Sequence, residues 1–422
     1  MRPSPTLVLI LLISAAWSGS AAAADAPESI DLARCYRLAL DRSETLAIRA
    51  EIINQADEHY RQALAGVLPS LSFNASYLYQ GADSAATAVA ANSRDYRFTV
   101  RQTLFSGFRE FSAMAAGRSE TTRQTLLLRR AQVLVYLDVA RAFYSVVLLE
   151  KDLENLTAER KLTQDRIVEL RTRLDLGKSR ESEVLNVDSQ LSTLDAQAEQ
   201  TASDIATARD LLAFITGADL DRTRLDGVAA ETETALPPLD HYLGLAGART
   251  DVKAASQEVE TARDRVYGTW GGILPGAGLA ADWYVPRNAK TDPVAWDAML
   301  TLEIPLFQGG RAVSAKREAQ SAVRAAEQGL SLATRNATLE IKDRWVALSH
   351  SLAQTAHLHD AYEKARKSYD LQVEEYRHGL VTNLDVLTTM GIMVTARRDW
   401  DHVVLQNRIN RLELLLAVEA LP

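Results

Sequence analysis

The 422-residue sequence predicts a mixed fold: long coiled-coil helices carrying the strands of a transmembrane β-barrel, built from two tandem copies of one unit. Three observations predict it. With only 11 Pro and 20 Gly, the chain is sparsely punctuated, so long unbroken elements are expected. Segments of about ten residues alternate apolar and polar side chains, as barrel strands do. The second half also repeats the first. Leu104-Phe105-Ser106-Gly107-Phe108-Arg109 returns 202 residues later as Leu306-Phe307-Gln308-Gly309-Gly310-Arg311. Gly177 returns as Gly379 and Val184-Leu185 as Val386-Leu387 at that same spacing, and Leu68-Pro69 returns as Leu274-Pro275.

The elements follow in order. Residues 1–24 read as a signal peptide, with Arg2, an apolar run from Thr6 to Trp17 and a small-residue cleavage site at Ala22-Ala23-Ala24. Beyond it no run of 18 apolar residues appears, so membrane entry requires strands rather than helices. Residues 25–67 predict helices, about Ser29 to Gly66, ended by Leu68-Pro69 because the residue before Pro disfavours the α conformation. Residues 68–107 predict a β-hairpin around a polar loop from Gly81 to Asn92. One face carries Leu71, Phe73, Ala75, Tyr77 and Tyr79, continued by Tyr96, Phe98 and Val100. The other carries Ser72, Asn74, Ser76, Arg97, Thr99 and Arg101. The same alternation fits a half-buried soluble hairpin, and pattern alone leaves both open.

Residues 108–215 predict a helical hairpin. No Pro interrupts Phe108 to Leu176, a helix of roughly 100 Å at 1.5 Å per residue. Its stripe runs Leu149, Leu153, Leu156, Ile167, Leu170 and Leu174, with Arg160 and Thr163 as misses. The returning helix continues Val184, Val187, Leu191, Leu194, Ala198, Ile205 and Leu212, a coiled-coil spacing. Gly177 fits the left-handed residue that ends a helix. Residues 216–246 form a segment of mixed composition. The second copy then supplies a helix (247–272), a hairpin (273–308) and a second long helical hairpin turning at Gly379 (309–422). Its strands alternate Leu279, Ala281, Trp283 and Val285, then Trp296, Ala298, Leu300, Leu302 and Ile304 against Asp297, Thr301 and Glu303.

Composition excludes several functions. With 47 Lys+Arg against 55 Asp+Glu, the net charge of −8 opposes nucleic-acid binding. One Cys, Cys35, excludes an intramolecular disulfide and reads as a small buried hydrophobe. His350 and His357 share a helix face, whereas His357 and His359 do not, and no acidic or Cys pattern completes a metal site. No phosphate-binding or nucleophile motif is present. The chain therefore reads as a non-enzyme without metal or cofactor.

Four strands cannot close a barrel, and open edges are not tolerated in lipid. Two chains would give eight strands and a filled interior; three give twelve and a lumen. A homotrimer is expected.

The chain resembles the TolC-like outer-membrane efflux protein family across essentially all of its mature length. The tandem repeat carries the resemblance, with Leu68-Pro69-Ser70-Leu71-Ser72 and Gln102-Thr103-Leu104-Phe105-Ser106-Gly107. So do two turns, Leu176-Gly177-Lys178-Ser179 and Tyr376 through Leu387. The resemblance implies a trimeric 12-stranded barrel in the outer membrane of a Gram-negative cell, above a periplasmic helical tunnel closed at its far end. Residues 25–67 would lie in its periplasmic part, and residues 216–246 would be the equatorial segment around its waist. It implies two partners, a periplasmic adaptor protein and an inner-membrane transporter. Gly177, Lys178, Ser179, Gly379, Leu380, Val381 and Thr382 would be the adaptor-docking tips. Asp385 would ring the closed mouth, with Thr388 where a second acidic ring is usual. Tyr376 would bond Glu183 of the neighbouring hairpin, and Val381 replaces an Arg that forms another closing contact. The residues alone also give Tyr376 a packing role, since it continues the stripe Tyr362, Tyr369, Val373.

Two functions are expected to compete: the passive exit duct of a tripartite efflux or type I secretion system, and a periplasmic coiled-coil structural protein with no pore.

Overall fold

The computed structural model describes residues 29–79, 92–220, 223–226, 236–285 and 294–420. The expected signal peptide, residues 81–91 of the first hairpin loop and part of the equatorial segment lie outside them.

The helical stretch expected from Ser29 to Gly66 consists of two helices, α1 (Leu32–Arg42) and α2 (Glu44–Ala65). Ser43 separates them. Its hydroxyl accepts from the Leu46 amide, so it caps α2 rather than continuing α1. A short strand β1 (Ser29–Ile30) precedes α1 and pairs parallel with β4 (Arg224–Leu225).

β2 (Ser70–Tyr79) and β3 (Asn92–Phe105) form one antiparallel hairpin; β5 (Gly276–Tyr284) and β6 (Trp296–Glu303) form the other. β3 and β5 pair antiparallel and join them into one sheet of order β2-β3-β5-β6, in which β2 and β6 are the edges. The register places Phe73 opposite Phe98, Phe98 opposite Trp283 and Trp283 opposite Trp296. Leu71, Val100, Ala281 and Ala298 form the next row of that face. Most of its large side chains are exposed, Trp296 and Leu300 at 69 % each. The opposite face carries Arg97, Arg101, Asp282, Asp297, Thr301 and Glu303, and Tyr284 donates to Asp297 at 2.8 Å. One side chain departs from the alternation reading. Thr99 is 2 % exposed, covered by Asn74 (2.9 Å) and bonded to Asp282.

α3 (Arg109–Asp175) and α7 (Arg311–Arg377) contain 67 residues each, and α4 (Glu181–Thr216) and α8 (Asn383–Ala417) return along them. α2 and α4 pack on α3, α6 (Thr250–Gly268) lies against both α3 and α7, and α8 touches α7 and α3. α5 (Leu239–Leu243) packs on α7. Each strand-to-helix corner uses two left-handed residues, Gly107-Phe108 and Gly309-Gly310. At Gly107 the corner approaches so closely that a Cβ would lie 2.6 Å from the Gly271 Cα.

The apolar stripe holds, with revisions. Arg160 is a true interruption, paired across to Asp195, but Thr163 is fully buried and bonds back to the Glu159 carbonyl at 3.0 Å. α3 also contains an 18-residue window apolar enough for a membrane span, against the expectation of none. Asp138 and Arg141 interrupt its middle, while Val139, Phe143 and Val146 are fully buried against α1 and α4. One face of that window is helix core. Cys35 belongs to the same cluster, and burial pushes its thiol up to about 11.

The far end of α8 is clasped by charge. Arg249 is 2 % exposed and meets Asp251 at 2.6 Å, Glu340 at 2.8 Å and the Ala417 carbonyl at 3.0 Å. Arg130 reaches Asp251, Glu340 and Glu419, and Glu419 accepts from the Thr250 amide and hydroxyl at 2.8 Å each.

Candidate functional site

The tips of the two helical hairpins are built alike. At the end of α3 the Lys178 amide donates to the Arg173 carbonyl (2.8 Å) and the Gly177 amide to that of Leu174 (2.9 Å). At the end of α7 Leu380 donates to Glu375 and Gly379 to Tyr376, both at 3.0 Å. Both are Schellman closures, which need a left-handed residue after the cap. Gly177 (φ 68°) and Gly379 (φ 78°) supply it, and open space surrounds each.

The returning helices start differently. α8 opens on a capping box that the sequence reading missed: Thr382 Oγ1 accepts from the Asp385 amide, and the Asp385 carboxylate accepts from the Thr382 amide at 2.8 Å. The Thr-x-x-Asp spacing is visible once the helix start is known. These bonds from Thr382 hold the Asp385 carboxyl below the usual aspartate range. α4 has no side-chain cap; Glu183 instead accepts from the Ser179 hydroxyl at 2.6 Å. Thr388 is exposed and bonds to the Leu384 carbonyl. Lys178 and Leu380 are exposed, Leu380 at 74 %, and Ser179 is half-buried, whereas Val381 packs into the cluster behind them.

That cluster joins four helices: Ile167 and Leu170 of α3, Val184 and Val187 of α4, Tyr376 of α7 and Val386 of α8. Tyr376 is 6 % exposed. Its packing role is what the structure displays, and among the described residues no hydrogen bond joins it to Glu183. Two guanidinium groups lie over its ring instead, Arg166 at 3.9 Å and Arg173 at 4.1 Å from the centroid. No sequence signal marked either arginine.

Among the described residues no cluster of His, Cys, Asp or Glu side chains could hold a metal ion. His359 packs on Trp400, 4.8 Å between ring centres.

A sheet with an exposed apolar face, carried on paired helices of this length and closed by matched glycine tips, has a counterpart among known proteins. The sequence profile of the outer membrane efflux protein family matches residues 35–218 and 243–417. The chain belongs to the outer membrane efflux protein family. This efflux protein is 24 % identical to the outer membrane efflux protein BepC of Brucella suis over 325 residues, 72 % of this chain and 68 % of BepC. It is 22 % identical to the outer membrane protein TolC of Escherichia coli over 98 % of this chain and 86 % of TolC. Its fold is similar to that of VceC of Vibrio cholerae, with a TM-score of 0.78, 21 % identity, and 92 % and 95 % of the two chains covered. The efflux protein is an outer-membrane channel, with its helices extending into the periplasm.

Proposed function

We propose that three copies of this efflux protein form a passive exit duct, joined through a periplasmic adaptor to an inner-membrane transporter of a tripartite efflux or type I secretion system. The observation that carries this reading is the four-stranded sheet with one exposed apolar face, one charged face and two unpaired edges. Unpaired backbone groups cost several kcal/mol each in lipid, roughly, so the edges must meet other copies. Three copies give twelve strands and a lumen lined by the charged face. A pore-free coiled-coil protein would leave the apolar face without a purpose.

The helical tips form the distal mouth. Gly177, Lys178, Ser179, Gly379, Leu380, Val381 and Thr382 make the surface that meets the adaptor. Asp385 and Thr388 line the mouth, and Tyr376 and Glu183 lie at the level where it closes.

The test is extraction from outer membranes followed by electrophoresis and planar-bilayer recording. Heat-sensitive trimers that conduct are expected. Recovery as a soluble periplasmic monomer would sink the reading.

A further inference from the structure

We infer that Arg166 and Arg173 are the positioning residues that hold the mouth closed, gripping the ring of Tyr376 rather than its hydroxyl. The inference rests on the reading of the tips as a closable mouth and assigns the contact that closes it.

Arg166 is a cation buried to 6 % exposure, which needs compensation from several partners. Its Nε donates to Asn383 Oδ1 at 2.9 Å, and its Nη1 meets Glu169 at 2.7 Å. Its Nη2 is buried with no hydrogen-bond partner. The Tyr376 ring, 3.9 Å away, supplies the missing interaction through its electron-rich face. Arg173 lies two helical turns further along α3. It places its own guanidinium over that ring, donates to the Tyr376 carbonyl at 3.3 Å and meets Glu169 at 3.6 Å. Glu169 therefore balances both cations.

These contacts cross between the repeats. Arg166, Glu169 and Arg173 belong to the first hairpin; Tyr376 and Asn383 end and begin the two helices of the second. Swinging the second tip away from α3 must strip the ring from both guanidinium groups and break the Asn383 bond. Glu183, engaged by Ser179, takes no part.

The two possible latches respond oppositely to mild substitutions. Tyr376→Phe keeps the ring and removes the hydroxyl, so wild-type conductance is expected in planar bilayers, alone or with Glu183→Gln. Tyr376→Leu, Arg166→Gln and Arg173→Gln should each raise the time-averaged conductance about tenfold, the scale of a desolvated cation–π contact. Arg166→Lys keeps the charge but loses the flat face and the Nε bond, so it should open the mouth too. Combining Arg166→Gln with Tyr376→Leu should add little to either change. Heat-sensitive trimers at wild-type yield establish that each variant assembles. If the larger changes do not assemble, opening with Tyr376→Phe, or no opening with the conservative Arg166→Lys, still overturns the grip. A closed wild type that opens with Tyr376→Phe, or stays closed with Arg166→Gln, overturns the arginine grip and leaves the mouth reading standing. A wild type that already conducts at the level of Tyr376→Leu overturns both.

Discussion

Glu183 and Asp385 occupy the same position in the two repeats, 202 residues apart, yet each closes a different ring. Asp385 completes the capping box with Thr382, whereas Glu183 turns back to Ser179, two residues before the helix start. The repeats share a backbone plan and diverge in what the acidic side chain grips.

The capping role of Asp385 and its proposed place at the mouth have separable signatures. Asp385→Asn keeps an oxygen for the Thr382 amide but removes three charges from the trimer mouth, so cation preference and block by divalent cations should weaken. Thr382→Val removes the hydroxyl that lowers the Asp385 pKa. A lowered folded value means the charged cap stabilises the tip above the unfolded pKa, about 3.9, and is lost as pH falls through the folded one. In Thr382→Val, cation preference should therefore disappear at a higher pH than in wild type. Identical midpoints in a bilayer pH titration would refute the link.

Labelling of introduced cysteines tests the sheet. A water-soluble thiol reagent should reach positions 97, 101 and 303 and spare 98, 100 and 302, which lie on the apolar face. Position 99 should label slowly despite its polar side, because Asn74 and Asp282 cover it. Native Cys35 is buried with a raised pKa and should add little background. Fast labelling at 98 and 100 would reverse the faces.

The docking surface makes a third prediction. Bulky changes at Lys178 or Leu380, both exposed, should abolish export while heat-sensitive trimers persist. If trimer content falls in step with export, these residues serve assembly and the adaptor claim fails.

The clasp at the end of α8 should govern local stability. Arg249→Gln takes the shared cation from Asp251 and Glu340, each about a third exposed, and should destabilise this region by about 1.5–3 kcal/mol, the scale of a charge-assisted hydrogen bond. Amide exchange in residues 405–420 should speed up first. Burial alone would raise the Asp251 pKa, but hydrogen bonds and charge from Arg249, with Arg130 behind it, pull it below the ordinary range. The carboxylate thus stabilises the clasp above the unfolded value of about 3.9, and that contribution is lost as pH falls through the lower folded value. Protection factors, which divide out the intrinsic pH dependence of amide exchange, should match at pH 5 and pH 7. A loosening already at pH 5 would mean that another group controls the end.

Local signals in the sequence carried far. Helix length, the paired tips at Gly177 and Gly379, and strand alternation depend on spacing along the chain, and spacing is legible. What escaped depends on partners distant in sequence. Arg166 sits beside Ile167 on the stripe, and nothing local shows that Asn383 and Tyr376 lie over it. Thr99 reads as a water-facing threonine until β5 brings Asp282 against it. Ser43 looks like an ordinary polar helix residue until its side chain is seen capping α2.

The sheet has two unlike edges, β2 and β6. A ring of identical copies therefore contains a single kind of seam, β2 of one chain against β6 of the next. That has a genetic consequence. A chain with a ruined β6 edge and a sound β2 edge can still recruit one neighbour, and then the ring cannot close. Co-expressed with wild type, it should consume sound chains in dead-end assemblies and behave as a dominant inhibitor of export, whereas a chain ruined at both edges should be recessive.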